Sequence, residues 1–160
     1  MLLRLDDVGV PVKLVYQLSE ELRLDPGQVS DAQALTLNAS KPRIGLKGVH
    51  GLFGAREWWE SIAQGKMPLV FLSGVVLRVY AAGQDEGEID NTVDLKLSDG
   101  LGRSVGIYVS DSVDVRLFRL GHRVDVVYVF DELKEQPSRG GGVNCADIVL
   151  EMAVSLRPTE

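Results

Sequence analysis

The sequence predicts a mainly β fold, a run of five strands preceded by an extension of one strand and short helices. Three observations lead there. From Pro68 onward, apolar residues recur at every second position in successive short runs, the period of a half-buried strand. Glycine-containing turns and loops separate most of those runs. Helical spacing is confined to short stretches, most of them before Met67. The chain has 160 residues, 45% of them apolar, which is enough for a packed core and too apolar for a disordered chain.

Taken in order, Val10, Val12, Leu14, Tyr16 and Leu18 alternate, which predicts a strand with Pro11 at its start. Ser19-Glu-Glu-Leu22 opens a short helix, and Asp25-Pro-Gly27 reads as a turn. Ser30 and Gln33 have the spacing of a capping box, so a helix is expected over about 31–37, with Asn38 as its stop. Glycines 45, 48, 51 and 54 then recur every third residue, a density that resists regular helix or strand. A helix is expected over 55–64, with Trp58 and Ile62 on one face and Gly65 beyond its end. The five strands follow at 69–80, 91–98, 104–110, 123–130 and 148–156. Asp99-Gly100 turns the second strand into the third. Residues 113–120 have a helical face of Val113, Leu117 and Leu120, and 131–146 read as a loop containing Pro137 and Gly140 to Gly142. The expected division is an N-terminal extension, 1–66, and a β domain, 67–160.

This strand order, with Gly74 midway along the long first strand and a short helical link between the third and fourth, resembles the OB-fold family over about 67–157. The resemblance implies a five-stranded Greek-key barrel. It implies a face on the second and third strands that binds single-stranded nucleic acid or oligosaccharides. Lys96 and Tyr108 are the residues of that face suited to phosphate and base. The surface argues the other way. The loop that would flank the face carries Asp85, Glu86, Glu88 and Asp90, which repel a phosphate chain.

Charge sharpens the picture. The formal net charge is -6, and residues 1–66 contribute none of it, holding eight charges of each sign. No acid occurs between Asp31 and Glu57, a stretch with Lys41, Arg43, Lys47 and Arg56. A basic segment therefore precedes an acidic body. Adjacent tryptophans, Trp58 and Trp59, add the residue type most enriched in binding hot spots.

Catalytic signals are weak. His50 and His122 lie in no metal-binding or general-base spacing, and no nucleophile elbow is present. Cys145 is the one cysteine, without a CxxC partner, which excludes a disulfide framework and points to a reducing compartment. The four acids at 85–90 lack the register of a calcium loop. The glycines of 45–54 match neither a phosphate loop nor a dinucleotide turn.

The reading is a cytoplasmic, non-enzymatic binding or assembly module with no cofactor and no metal. Its partner is another protein or a second protomer, met through Arg43, Lys47, Arg56, Trp58, Trp59 and the acidic loop Asp85, Glu86, Glu88 and Asp90. The alternative is single-stranded nucleic-acid or nucleotide binding through Lys96 and Tyr108. No run is long and apolar enough to span a membrane as a helix.

Overall fold

The computed structural model describes residues 1–83, 89–135 and 143–159. Strand β1 (Val12–Gln17) leads into helices α1 (Leu18–Leu24) and α2 (Gly27–Leu37), and after the glycine-rich loop comes α3 (Arg56–Ala63). Strands β2 (Leu69–Tyr80), β3 (Thr92–Leu97), β4 (Gly102–Gly106), β5 (His122–Glu132) and β6 (Cys145–Pro158) follow, with a 3-10 helix at Ser112–Leu117. Among the described residues, no helix is long and apolar enough to cross a membrane.

All six strands form one open sheet in the order β1-β6-β5-β2-β3-β4. The expected OB-like barrel is therefore wrong, although a strand lies at or close to each of the five expected places. Closing such a barrel requires its last strand to pair with its third, here β6 with β4. The free edge of β6 is instead taken by β1, with Val12 opposite Ser155 and Gln17 opposite Glu151. With that edge filled, the sheet ends at β1 on one side and at β4 on the other. Burial agrees with this order. Residues 124–129 of β5 and 150–155 of β6, both inside the sheet, are buried without alternation, whereas in β2 only Gly74 and Val76 are buried.

Gly74 is explained by packing and not by a barrel bend. A Cβ there would lie 2.9 Å from both the Leu95 Cβ and the Lys96 carbonyl oxygen. The irregularity in β2 comes two residues later, between Val76 and Arg78. The expected capping box does not form either. Helix α2 starts at Gly27, so Ser30 is already inside it and its hydroxyl donates to the Pro26 carbonyl. Gln33 donates to the Phe53 carbonyl at 3.0 Å. The expected third strand, 104–110, lies earlier, at 102–106, and Ser110 donates to the Val15 carbonyl at 2.8 Å.

Contacts divide the chain into two units, Met1–Gln17 with Phe71–Val127 and Val149–Glu160, and Leu18–Val70 with Tyr128–Ile148. In the first, Val76, Val93, Leu95, Phe118, Val124, Met152 and Val154 are buried. The N-terminal segment is tied to this core by Glu151, which is itself buried. Its carboxylate accepts from the Leu2 amide at 2.8 and 3.0 Å and from the Leu3 amide at 2.8 Å. His122 is a packing residue, buried with Nδ1 2.7 Å from the Ser155 carbonyl. In the second unit, Leu18, Leu22, Trp58, Ile62, Met67 and Val129 form the core.

Candidate partner-binding surface

The basic segment and the tandem tryptophans lie in the second unit, on and beside the glycine-rich loop. That loop is built and held. All four of its glycines have positive φ, from 74° to 101°, a region that side chains rarely adopt. At Gly51 the packing is also close, since a Cβ would meet the Trp58 nitrogen at 2.9 Å. The period of three records a chain that turns repeatedly against α2 and α3.

The end of β5 pins the loop. The Lys47 amide donates to the Glu132 carbonyl at 2.8 Å, the Lys134 amide donates to Gly45 at 3.0 Å, and Leu46 bridges Leu133. The Lys134 ammonium donates to the carbonyls of Leu35, Asn38 and Lys41 at 2.7, 3.3 and 2.9 Å, gathering the C-terminal end of α2 and the start of the loop. A cation there complements the unsatisfied carbonyls of a helix end. On this frame Arg43, Lys47 and Arg56 are exposed, together with Ile44 and Val49. Arg56 pairs with Glu60 one turn on, at 2.9 Å.

The two tryptophans divide their work. Trp58 is fully buried, against Phe53 at 5.0 Å and Trp59 at 4.8 Å between ring centroids, and its indole donates to Asp131 Oδ2 at 2.9 Å. Trp59 is half-buried, resting on Trp58. Asp131 is buried and its Oδ1 has no partner among the described residues. Burial raises its pKa, while the Trp58 hydrogen bond and the nearby His50 pull it down. No signal in the sequence pairs residue 131 with residue 58.

Asp90 is exposed, and Asp85, Glu86 and Glu88 lie outside the described residues. Lys96 and Tyr108 are not brought together. Lys96 sits opposite Gly102 at one end of the β3–β4 hairpin, and Tyr108 lies beyond Gly106 at the other, edge-on to Tyr16. Without a barrel, the expected nucleic-acid face loses its footing. Among the described residues no His, Cys, Asp and Glu group is arranged to hold a metal. Cys145 is exposed, and partial desolvation together with the charges of Glu132, Asp131 and Asp147 raises its thiol pKa, the opposite of what an activated thiolate needs.

The loop and the start of α3 thus present exposed cations and aliphatic side chains beside the half-buried Trp59. The chain belongs to the family of immunity protein RhsI2, whose sequence profile matches residues 12–155. Members of an immunity protein family are binding proteins, typically inhibitors and not enzymes. This family replaces the OB-fold resemblance. No curated protein matches the chain.

Proposed function

We propose that the chain binds a cognate Rhs toxin and neutralises it by direct protein–protein docking. The family match over residues 12–155 carries this reading. The fixed loop supports it, because a preorganised surface loses little freedom on binding. In this reading Arg43, Lys47 and Arg56 meet acids of the toxin, Trp59 is the apolar anchor, and Trp58 holds Trp59 in place from below. The acidic stretch that includes Asp90, with Asp85, Glu86 and Glu88, meets basic side chains of the same partner.

The test is calorimetric titration with a catalytically inactive Rhs toxin encoded in the same genome. Wild-type protein binds, and the Arg43→Glu, Lys47→Glu, Arg56→Glu triple variant binds at least about 100-fold more weakly, since each reversal replaces attraction by repulsion. A wild-type protein that does not bind, or that binds without rescuing growth of cells making the active toxin, refutes the reading.

A further inference from the structure

Strand β4 ends the sheet, and the register determines what its free edge offers. The Leu97 amide donates to the Leu101 carbonyl at 2.9 Å, and the Ile107 amide donates to the Asn91 carbonyl at 2.8 Å. In an antiparallel ladder, hydrogen-bonded pairs alternate with non-bonded pairs. Val93 with Val105 and Leu95 with Arg103 are therefore bonded pairs, while Thr92 with Gly106, Asp94 with Ser104 and Lys96 with Gly102 are not. It follows that the backbone groups of Gly102, Ser104 and Gly106 point away from β3, off the edge of the sheet. Gly102 and Ser104 are exposed, and no described residue hydrogen-bonds their amides.

The two ends of the sheet are treated differently. The β1 end is blunted by a register slip between Leu14 and Tyr16, and its Val15 carbonyl already accepts from Ser110. The β4 register runs unbroken for five residues without a proline. Side chains also hold β4 in place. Ser104 Oγ donates to Asp94 Oδ1 at 2.6 Å, and the Tyr80 hydroxyl donates to the same oxygen at 2.9 Å. At Gly102 a Cβ would find its nearest neighbour only at 4.0 Å, so the face of the sheet there is not closely packed.

We infer that an extended segment of the toxin adds to the free edge of β4 as a seventh strand, bonded through the backbone of Gly102, Ser104 and Gly106. The occupant is an extended main chain because only that offers donors and acceptors at the two-residue repeat of about 6.8 Å that this edge presents. The inference rests on the toxin-binding reading.

Ser104→Pro tests it. The Ser104 amide is outside the β3 ladder, so proline removes an outward donor without breaking an internal bond. Ser104→Ala controls for the lost Asp94 hydrogen bond. Titrated with the inactive Rhs toxin of the same genome, Ser104→Ala binds within about 3-fold of wild type and Ser104→Pro at least about 10-fold more weakly, the loss expected for one missing backbone bond and the ring's intrusion. Amide exchange on the wild-type protein gives a readout independent of any variant. Toxin slows exchange at Gly102 and Ser104, whereas Arg103 and Val105 are protected with or without it. Toxin binding that leaves the Gly102 and Ser104 amides at their free rates overturns the edge inference and leaves the toxin reading standing. A wild-type protein that does not bind the toxin sinks both. Slowing that appears with protein concentration alone, with a dimer in light scattering, makes the occupant a second copy and likewise overturns the inference.

Discussion

Replacing Trp58 by phenylalanine isolates the buried pair on which the loop rests. The phenyl ring fits where the indole was and keeps most of the contact with Phe53 and Trp59, but it has no N–H. Asp131, whose Oδ1 has no partner among the described residues, then loses the donor to Oδ2 as well. A buried acceptor left unsatisfied costs about 1–3 kcal/mol. The atoms missing from the smaller ring leave a void worth about 1 kcal/mol more. Trp58→Phe should therefore lower the unfolding free energy by about 2–4 kcal/mol in urea titration. In an Asp131→Ala background no carboxylate remains to be orphaned, and the same change should cost only about 1 kcal/mol. The difference between the two costs is the coupling energy of the pair. Costs that agree within about 0.5 kcal/mol in both backgrounds would refute the argument that this hydrogen bond holds the site.

The same carboxylate gives a pH signature. Burial raises the Asp131 pKa in the folded state, so the folded chain holds that proton to higher pH than the unfolded chain does. Stability from this group is lost as pH rises from the ordinary aspartate value through the raised one, so wild type should gain on Asp131→Asn when acidified from neutral, read as the difference between paired urea curves. Gly51→Ala forces a side chain into a positive φ and onto the Trp58 nitrogen, and should cost about 1–3 kcal/mol, visible as a lowered melting temperature. Glu151→Gln keeps an acceptor at the Oε1 position for the Leu2 and Leu3 amides but puts an NH2 where Oε2 accepts from Leu2, so hydrogen exchange should accelerate at the Leu2 amide more than at Leu3 while the β5 amides stay protected. Trp59→Ala should weaken binding of the inactive toxin by about 30-fold or more, a hot-spot loss, while destabilising the fold less than Trp58→Ala does; equal destabilisation by the two would make Trp59 a core residue.

Local elements were legible because their causes are local. The alternation of Val93, Leu95 and Leu97 marks β3 wherever β3 lies in a sheet, and all three side chains are buried or half-buried. Glycines 45, 48, 51 and 54 announced an irregular loop, and each proved to have positive φ. Trp58 and Ile62, four residues apart, announced the buried face of α3. The capping box at Ser30 misled because Pro26 supplies an earlier helix start, and two competing signals within one turn cannot be ranked by spacing alone. Of the candidate site, the basic residues and the tryptophans were visible as a cluster in the chain. The groups that fix their geometry were not. Asp131, Glu132 and Lys134 lie far along the sequence, and an isolated acid or lysine carries no mark of what it will bond.

By itself, then, the sequence determined roughly where most strands and helices run, that the chain has enough apolar residues for a core, that its basic and acidic stretches are separated, and that it belongs to an immunity protein family. Only the tertiary structure decided that the sheet stays open, that Trp58 is spoken for by Asp131, and that β4 lies at the end of the sheet. The physical reason is that a period of two states which face of a strand is buried and says nothing about which strand lies beside it. The neighbour of β6 is chosen by β1, some 140 residues earlier, and once β1 has taken that place a barrel cannot close.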